Sequence, residues 1–179
     1  IRSDDAHLGR SISDKPMKAP IAYGIDFGTS NSTVAVATRS GFKSLGGLTS
    51  PGTPSLLYLD QTRQTLIGDP AAEQFLTVGG WPRARLMSSI KSHLADDLID
   101  STESWGITWR KSDLVGHILR HLKAQADDLC QHDTRRLVIG HPVAFAGAEG
   151  PNFERLQQLA LDRLQEATEF AGFEEVAFL

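Results

Sequence analysis

A carboxylate, two hydroxyls and a carboxamide stand within six residues of one another at Asp26-Phe27-Gly28-Thr29-Ser30-Asn31. A turn of this composition can aim those groups and several backbone N–H groups at one point, an arrangement that suits a phosphate and its metal ion. The same residue types favour turns in general, so an ordinary hairpin loop is the competing reading. Other groups with chemical potential are more scattered. His117 and His121 stand at i and i+4 and could share a metal ion, but no Glu follows His117 as in a metalloprotease helix and no third ligand is evident nearby. His141 follows an apolar run at a strand end, where a histidine either faces a site or is structural. Arg83, Arg85, Lys91 and His93 form a cationic segment, followed by the acidic group Asp96, Asp97, Asp100 and Glu103; both read as solvated surface.

The turn needs a strand on either side. Ile21, Tyr23 and Ile25 alternate with smaller residues before it, and Val34 and Val36 resume the alternation after it. A third strand is punctuated by Gly41-Phe42-Lys43 and Gly46-Gly47, and Ser50-Pro51-Gly52-Thr53-Pro54 then breaks the pattern. Residues 55–59 and 65–67 read as short strands. Gly68-Asp69-Pro70 opens a helix whose apolar face is Ala71, Ala72, Phe75 and Leu76. Residues 106–109 suggest a strand. Ser112 serves as N-cap for a helix over 113–131, with Leu114, Val115, Ile118, Leu119 and Leu122 as its buried stripe and Ala126 and Leu129 extending it. Residues 135–140 read as a central parallel strand. Gly150-Pro151 starts a last helix with Phe153, Leu156, Ala160, Leu164, Ala167 and Ala171 on one face and Gly172 as its left-handed cap. Residues 174–179 begin another strand, and a strand ending there without a following partner suggests a piece of a larger protein.

At 179 residues, 40% hydrophobic and 22% charged, the sequence has the size and composition of one globular domain with a sizeable core. The net charge of -4 argues against a dominant nucleic-acid surface. Cys130 is the only cysteine, which excludes an intramolecular disulfide and an all-cysteine metal site. No apolar run approaches bilayer length, so no membrane partner is expected and a cytoplasmic location is the simpler assumption. Residues 1–19 are polar and aperiodic and read as a flexible tail.

The order of three meandering strands, an insertion, then helix, strand, helix, strand resembles the first lobe of the actin-like ATPase fold, an α/β fold built on a ribonuclease-H-like sheet. Several stretches sharpen this. IAYGIDFGTSNSTVAV resembles the phosphate motif of the seventy-kilodalton heat-shock chaperones, TPSLLYLD the strand after it, IGDPAAEQ the next helix start, LVIGHPVAF the strand and proline loop, and EATEFAGFEEVAFL the helix and strand that follow. The Ile-Gly-x-Pro-x-x-Phe variant and Ser-Ile-Lys-Ser point to the divergent YegD-like branch. The likeness covers most of residues 21–179, with an inserted subdomain at about 51–110.

The resemblance implies an ATP-binding, chaperone-like protein with Mg2+ as cofactor and unfolded-protein clients or co-chaperones as partners. It implies that Asp26 is catalytic and faces the magnesium shell, that Gly28, Thr29, Ser30 and Asn31 line the β- and γ-phosphates, and that Pro142 belongs to a loop coupling nucleotide state to domain motion. Two positions depart from the pattern. Ala72 stands where the family has its catalytic lysine, which implies slow hydrolysis unless Lys91 substitutes, and Leu161 stands where the family has a coupling arginine. The second lobe, carrying the other phosphate loop and the adenosine pocket, lies outside this sequence, so the chain alone is expected to bind ATP weakly or not at all. An actin-like small-molecule kinase and a nucleotide sensor without turnover are the alternatives.

Overall fold

The structure is a computed structural model that describes residues 19–44 and 52–179. The expected tail, apart from Ala19, lies outside the described residues, as do Gly46-Gly47 and Ser50-Pro51. The fold is mixed α/β.

β1 (Ala22–Asp26) and β2 (Asn31–Thr38) form an antiparallel hairpin around the Asp26 turn, and β3 (Gly41–Ser44) continues the meander. Tyr23, Ile25, Val34 and Val36 are buried, as the alternation predicts. β4 (Thr53–Pro54) pairs with the start of β2, joining Asn31 to Pro54 and Ser32 to Thr53. On the other side of β1 lies β10 (Arg136–Gly140), then β11 (Glu175–Phe178), both parallel to β1. The sheet order is β11-β10-β1-β2-β3. The register puts Asp26 beside Gly140 and Thr33.

Between β4 and the long helix the chain builds two smaller sheets. β5 (Leu57–Asp60) is central to the first, flanked by β6 (Thr65–Ile67) and β7 (Ala84–Met87), with α1 (Asp69–Thr77) against it. A 3-10 turn at Ile90–His93 follows, then the hairpin of β8 (Ser101–Ser104) and β9 (Ile107–Arg110). The sequence pattern hides β7 and β8. Leu76 was expected on the packed face of α1 and is instead 78% exposed, while Ala71 and Phe75 on the helix and Val78 at its end pack against the small sheet.

α2 (Lys111–Cys130) and α3 (Phe153–Phe170) pack on each other and share one core with β1, β2 and β10. Their contact is close: a Cβ on Gly116 would stand 2.4 Å from the Phe170 ring. α2 starts earlier than Ser112 allows. Lys111 N–H donates to the Asp100 carbonyl, so Arg110 takes the cap position and Ser112 is buried in the first turn. The stripe from Leu114 to Ala126 is buried as expected, but Leu129 is 61% exposed where the helix end runs past the core. A 3-10 turn at Gly150–Asn152 precedes α3, which leaves Phe153 39% exposed rather than on the packed face. Gly172, with φ +94, follows the last turn in the left-handed conformation expected of it.

Charged side chains complete the interior. Arg163 on α3 is 5% exposed and donates to the carbonyls of Leu94 and Asp96 and to the Asp100 carboxylate. Lys123 on α2 bridges Asp127 and Asp133, and Asp127 accepts from the buried Tyr23 hydroxyl. Burial chiefly, with that carboxylate beside it, pushes the Tyr23 hydroxyl well above the usual tyrosine range. Among the described residues, no helix is long and apolar enough to cross a membrane.

Candidate functional site

The turn sits at the C-terminal end of β1, the sheet edge where the parallel strands β10 and β11 also end. Open α/β sheets expose a crevice at that edge. Asp26 closes β1 and Asn31 opens β2, so the connecting loop is Phe27 to Ser30. Phe27 is buried in the main core and anchors the loop, while Asp26, Thr29, Ser30 and Asn31 are exposed. Gly28 is dictated by space. A Cβ there would stand 2.1 Å from the Asn31 carbonyl oxygen, a backbone atom that cannot move aside.

The loop is clamped from within. Ser55 donates its backbone N–H to the Ser30 carbonyl at 2.8 Å and its hydroxyl to the Gly28 carbonyl at 2.9 Å. Ser32 Oγ accepts from the Gly28 N–H at 3.3 Å and lies 2.9 Å from Ser55 Oγ, with both serines buried. The Lys91 ammonium donates to the Phe27 carbonyl and lies 5.8 Å from the centre of the Phe27 ring. The carbonyls of Phe27, Gly28 and Ser30 are therefore all engaged by donors from elsewhere in the chain. The N–H groups of Thr29 and Ser30 have no acceptor among the described residues. A loop whose carbonyls are held by the protein while its N–H groups remain available favours an anion.

Lys91 was expected on a solvated surface; it is half-buried at the turn. Burial lowers its pKa from the usual lysine value, and the nearby Asp26 carboxylate opposes that shift. The 3-10 turn at Ile90–His93 makes this possible. The sequence offered Lys91 only as a substitute for the lysine missing at Ala72, and Ser32 and Ser55 are what sequence reasoning left out of the turn. Ser32 carried a signal: it occupies the same inward face of β2 as Val34 and Val36, where a serine needs a polar partner.

Ala72 lies on α1, whose start is tied to the same region. Gly68 N–H donates to the Leu56 carbonyl, and Gly68 packs on Thr53 and Pro54 of β4, the strand paired with Asn31 and Ser32. His141 follows Gly140, the residue in register with Asp26. Its ring stacks on Phe145 at 6.2 Å, and its Nδ1 lies 2.8 Å from the Pro142 carbonyl, which can only accept, so Nδ1 carries the proton. The His117 and His121 pair is not joined by a third ligand: among the described residues no three His, Cys, Asp or Glu side chains gather in a group that could hold a metal ion. His117 instead makes an edge contact with the Phe170 ring at 5.0 Å.

A magnesium ion fits the turn in a limited way. Asp26 offers one exposed carboxylate, and magnesium is commonly held by one or two carboxylates with the remaining positions filled by water and ligand phosphates. No protein-family model matches the chain.

Proposed function

We propose that this chain is one lobe of a nucleotide clamp, in an ATP-binding, chaperone-like protein of the heat-shock seventy type with an actin-like ATPase fold. The observation that carries this reading is the turn from Asp26 to Asn31: its carbonyls are engaged by Lys91 and Ser55, while Asp26, Thr29 and Ser30 are exposed at the end of β1 and the Thr29 and Ser30 N–H groups have no acceptor among the described residues. The sheet supports it, since an antiparallel meander β1-β2-β3 with parallel β10 and β11 beside β1 is the order expected of a ribonuclease-H-like lobe.

In this reading Gly28, Thr29, Ser30 and Asn31 would receive the β- and γ-phosphates, and Asp26 would hold Mg2+. The bound ion supplies charge neutralisation. Lys91 supplies a second positive charge at the turn, in place of the amine that Ala72 lacks. Phosphoryl transfer needs positioning and charge neutralisation more than covalent chemistry, so these groups suffice for slow hydrolysis. Ala72 specifically favours a second reading, a nucleotide sensor that binds without turnover.

The test uses the full natural polypeptide containing these residues. Calorimetry with Mg2+-ATP and a single-turnover hydrolysis assay are run on the wild type and on Asp26→Asn. Binding with turnover that Asp26→Asn lowers is the expected result. Tight binding without turnover selects the sensor, phosphate transfer to a sugar panel selects a small-molecule kinase, and no binding by the wild type overturns the nucleotide reading.

A further inference from the structure

Beside the 3-10 turn lies a second concavity. Lys91 reaches the Asp26 loop, whereas Ile90 and His93 line an open cavity of about 420 Å³ bordered by β7, β8 and the first turn of α2. That volume falls within the range of small-molecule sites, roughly 300–1,000 Å³. Its lining has two parts. Leu86, Met87, Ile90, Ile99 and Leu114 make an apolar wall, and Arg85, His93, Ser101 and Thr102 bring polar groups to it.

The charge balance of the cavity is positive. Asp96 also lines it, but the Lys111 ammonium lies 3.3 Å from that carboxylate and Leu98 N–H donates to it at 3.0 Å. Arg85 has no such counterion. One of its terminal nitrogens donates to Thr102 Oγ1 at 2.9 Å and to Ser104 Oγ at 2.6 Å, both neutral oxygens, and no carboxylate pairs with it among the described residues. The two hydroxyls fix the guanidinium on the cavity wall without neutralising it. A guanidinium offers five N–H donors in a fork matched to planar anions.

We propose that this cavity binds a small organic anion, a carboxylate or phosphate carried on a short apolar body, with Arg85 as its charge partner. The anionic head lies against Arg85, within reach of Ser101 and His93, and the body covers Ile90, Ile99 and Leu114. The site is independent of the nucleotide turn and stands whether or not the chain binds ATP.

The test is a ¹⁵N NMR titration of the chain with phenyl phosphate, benzoate and, as the uncharged control, benzyl alcohol. Saturable shifts at His93, Ser101 and Thr102 with either anion, at least tenfold weaker with the alcohol, are expected; the tighter anion identifies the head group. Arg85→Gln should weaken binding tenfold or more. Because Arg85 also ties down Thr102 and Ser104, a second variant leaves those bonds intact: Ile99→Asp places a carboxylate at a position 58% exposed on the rim and should weaken the anions by a similar factor. Shifts confined to Thr29, Ser30 and Asn31, no saturable shift with either anion, or affinity indifferent to both cavity variants would overturn the proposal.

Discussion

The Lys91 ammonium donates a hydrogen bond to the Phe27 carbonyl across 64 residues of sequence. That bond brings a cation from a short irregular segment to the turn bearing Asp26. It uses one of the three donors of an ammonium group.

Replacing Lys91 by Gln should lower the hydrolysis rate of the full polypeptide by about 10²-fold, the usual cost of removing a group aimed at developing charge. Its effect on KM should be smaller, and Lys91→Arg should retain part of the rate. The pH profile separates this from a structural effect. With its pKa lowered by burial, Lys91 loses its charge below the ordinary lysine value of about 10.4, so activity should fall early on the alkaline side. Lys91→Arg should move that limb upward; an unmoved limb would remove the ammonium from the reaction.

Gly28→Ala tests the turn by space alone. The added methyl meets the Asn31 carbonyl oxygen, and overpacking of this kind costs about 1–3 kcal/mol. Gly140→Ala, at the register partner of Asp26, meets nothing within 4 Å and should be close to neutral. Urea unfolding of the two variants should separate them clearly, and equal midpoints would mean that the loop relaxes freely.

Ser32 and Ser55 share a buried hydrogen bond. Removing either hydroxyl leaves the other with one partner fewer, at about 1–3 kcal/mol each. Each hydroxyl also holds one backbone group of Gly28, Ser32 its N–H at 3.3 Å and Ser55 its carbonyl at 2.9 Å, so the shorter contact makes Ser55→Ala the costlier change. The double variant should be less destabilised than the sum of the two, and strict additivity in the double-mutant cycle would contradict the bond.

Asp60 should make stability sensitive to acid. Burial pushes its carboxyl up, but hydrogen bonds from Thr62, Gln64 and Tyr58 outweigh burial and hold it below the usual aspartate range. A carboxylate with a depressed folded pKa stabilises the protein above its unfolded pKa, about 3.9, and that contribution is lost as pH falls through the folded value. Asp60→Asn should therefore unfold more easily than wild type at pH 7, by about 1–3 kcal/mol, with the gap narrowing below about pH 4. Thermal melts of both proteins across pH 2.5 to 7 check the sign.

Much of this arrangement was legible because local pattern and final environment agree. The alternation of Tyr23 and Ile25 with Val34 and Val36 marks strands that keep one face in the core, and the period of Leu114, Val115, Ile118 and Leu122 marks a helix that does the same. The exposed turn was legible too, since its residue types are those of a turn. Of the segment from Gly79 to Arg110, only β9 was. Its strands are four residues long, too short for a period to establish itself, and their pairing partners are Leu57 to Asp60 and one another. The buried cations were hidden for a related reason. Lys91 and Arg163 are met by distant oxygens, the Phe27 carbonyl for the first and the Leu94 and Asp96 carbonyls for the second, and no local window of sequence contains both members of these pairs.

The anchoring of residues 94 to 100 by Arg163 also sets an order of events during synthesis. The acceptors precede the guanidinium by 63 to 69 residues, and at a translation rate of about 5–20 residues per second they wait several seconds before their donor exists. Until α3 emerges, the stretch that follows Lys91 lacks this clasp.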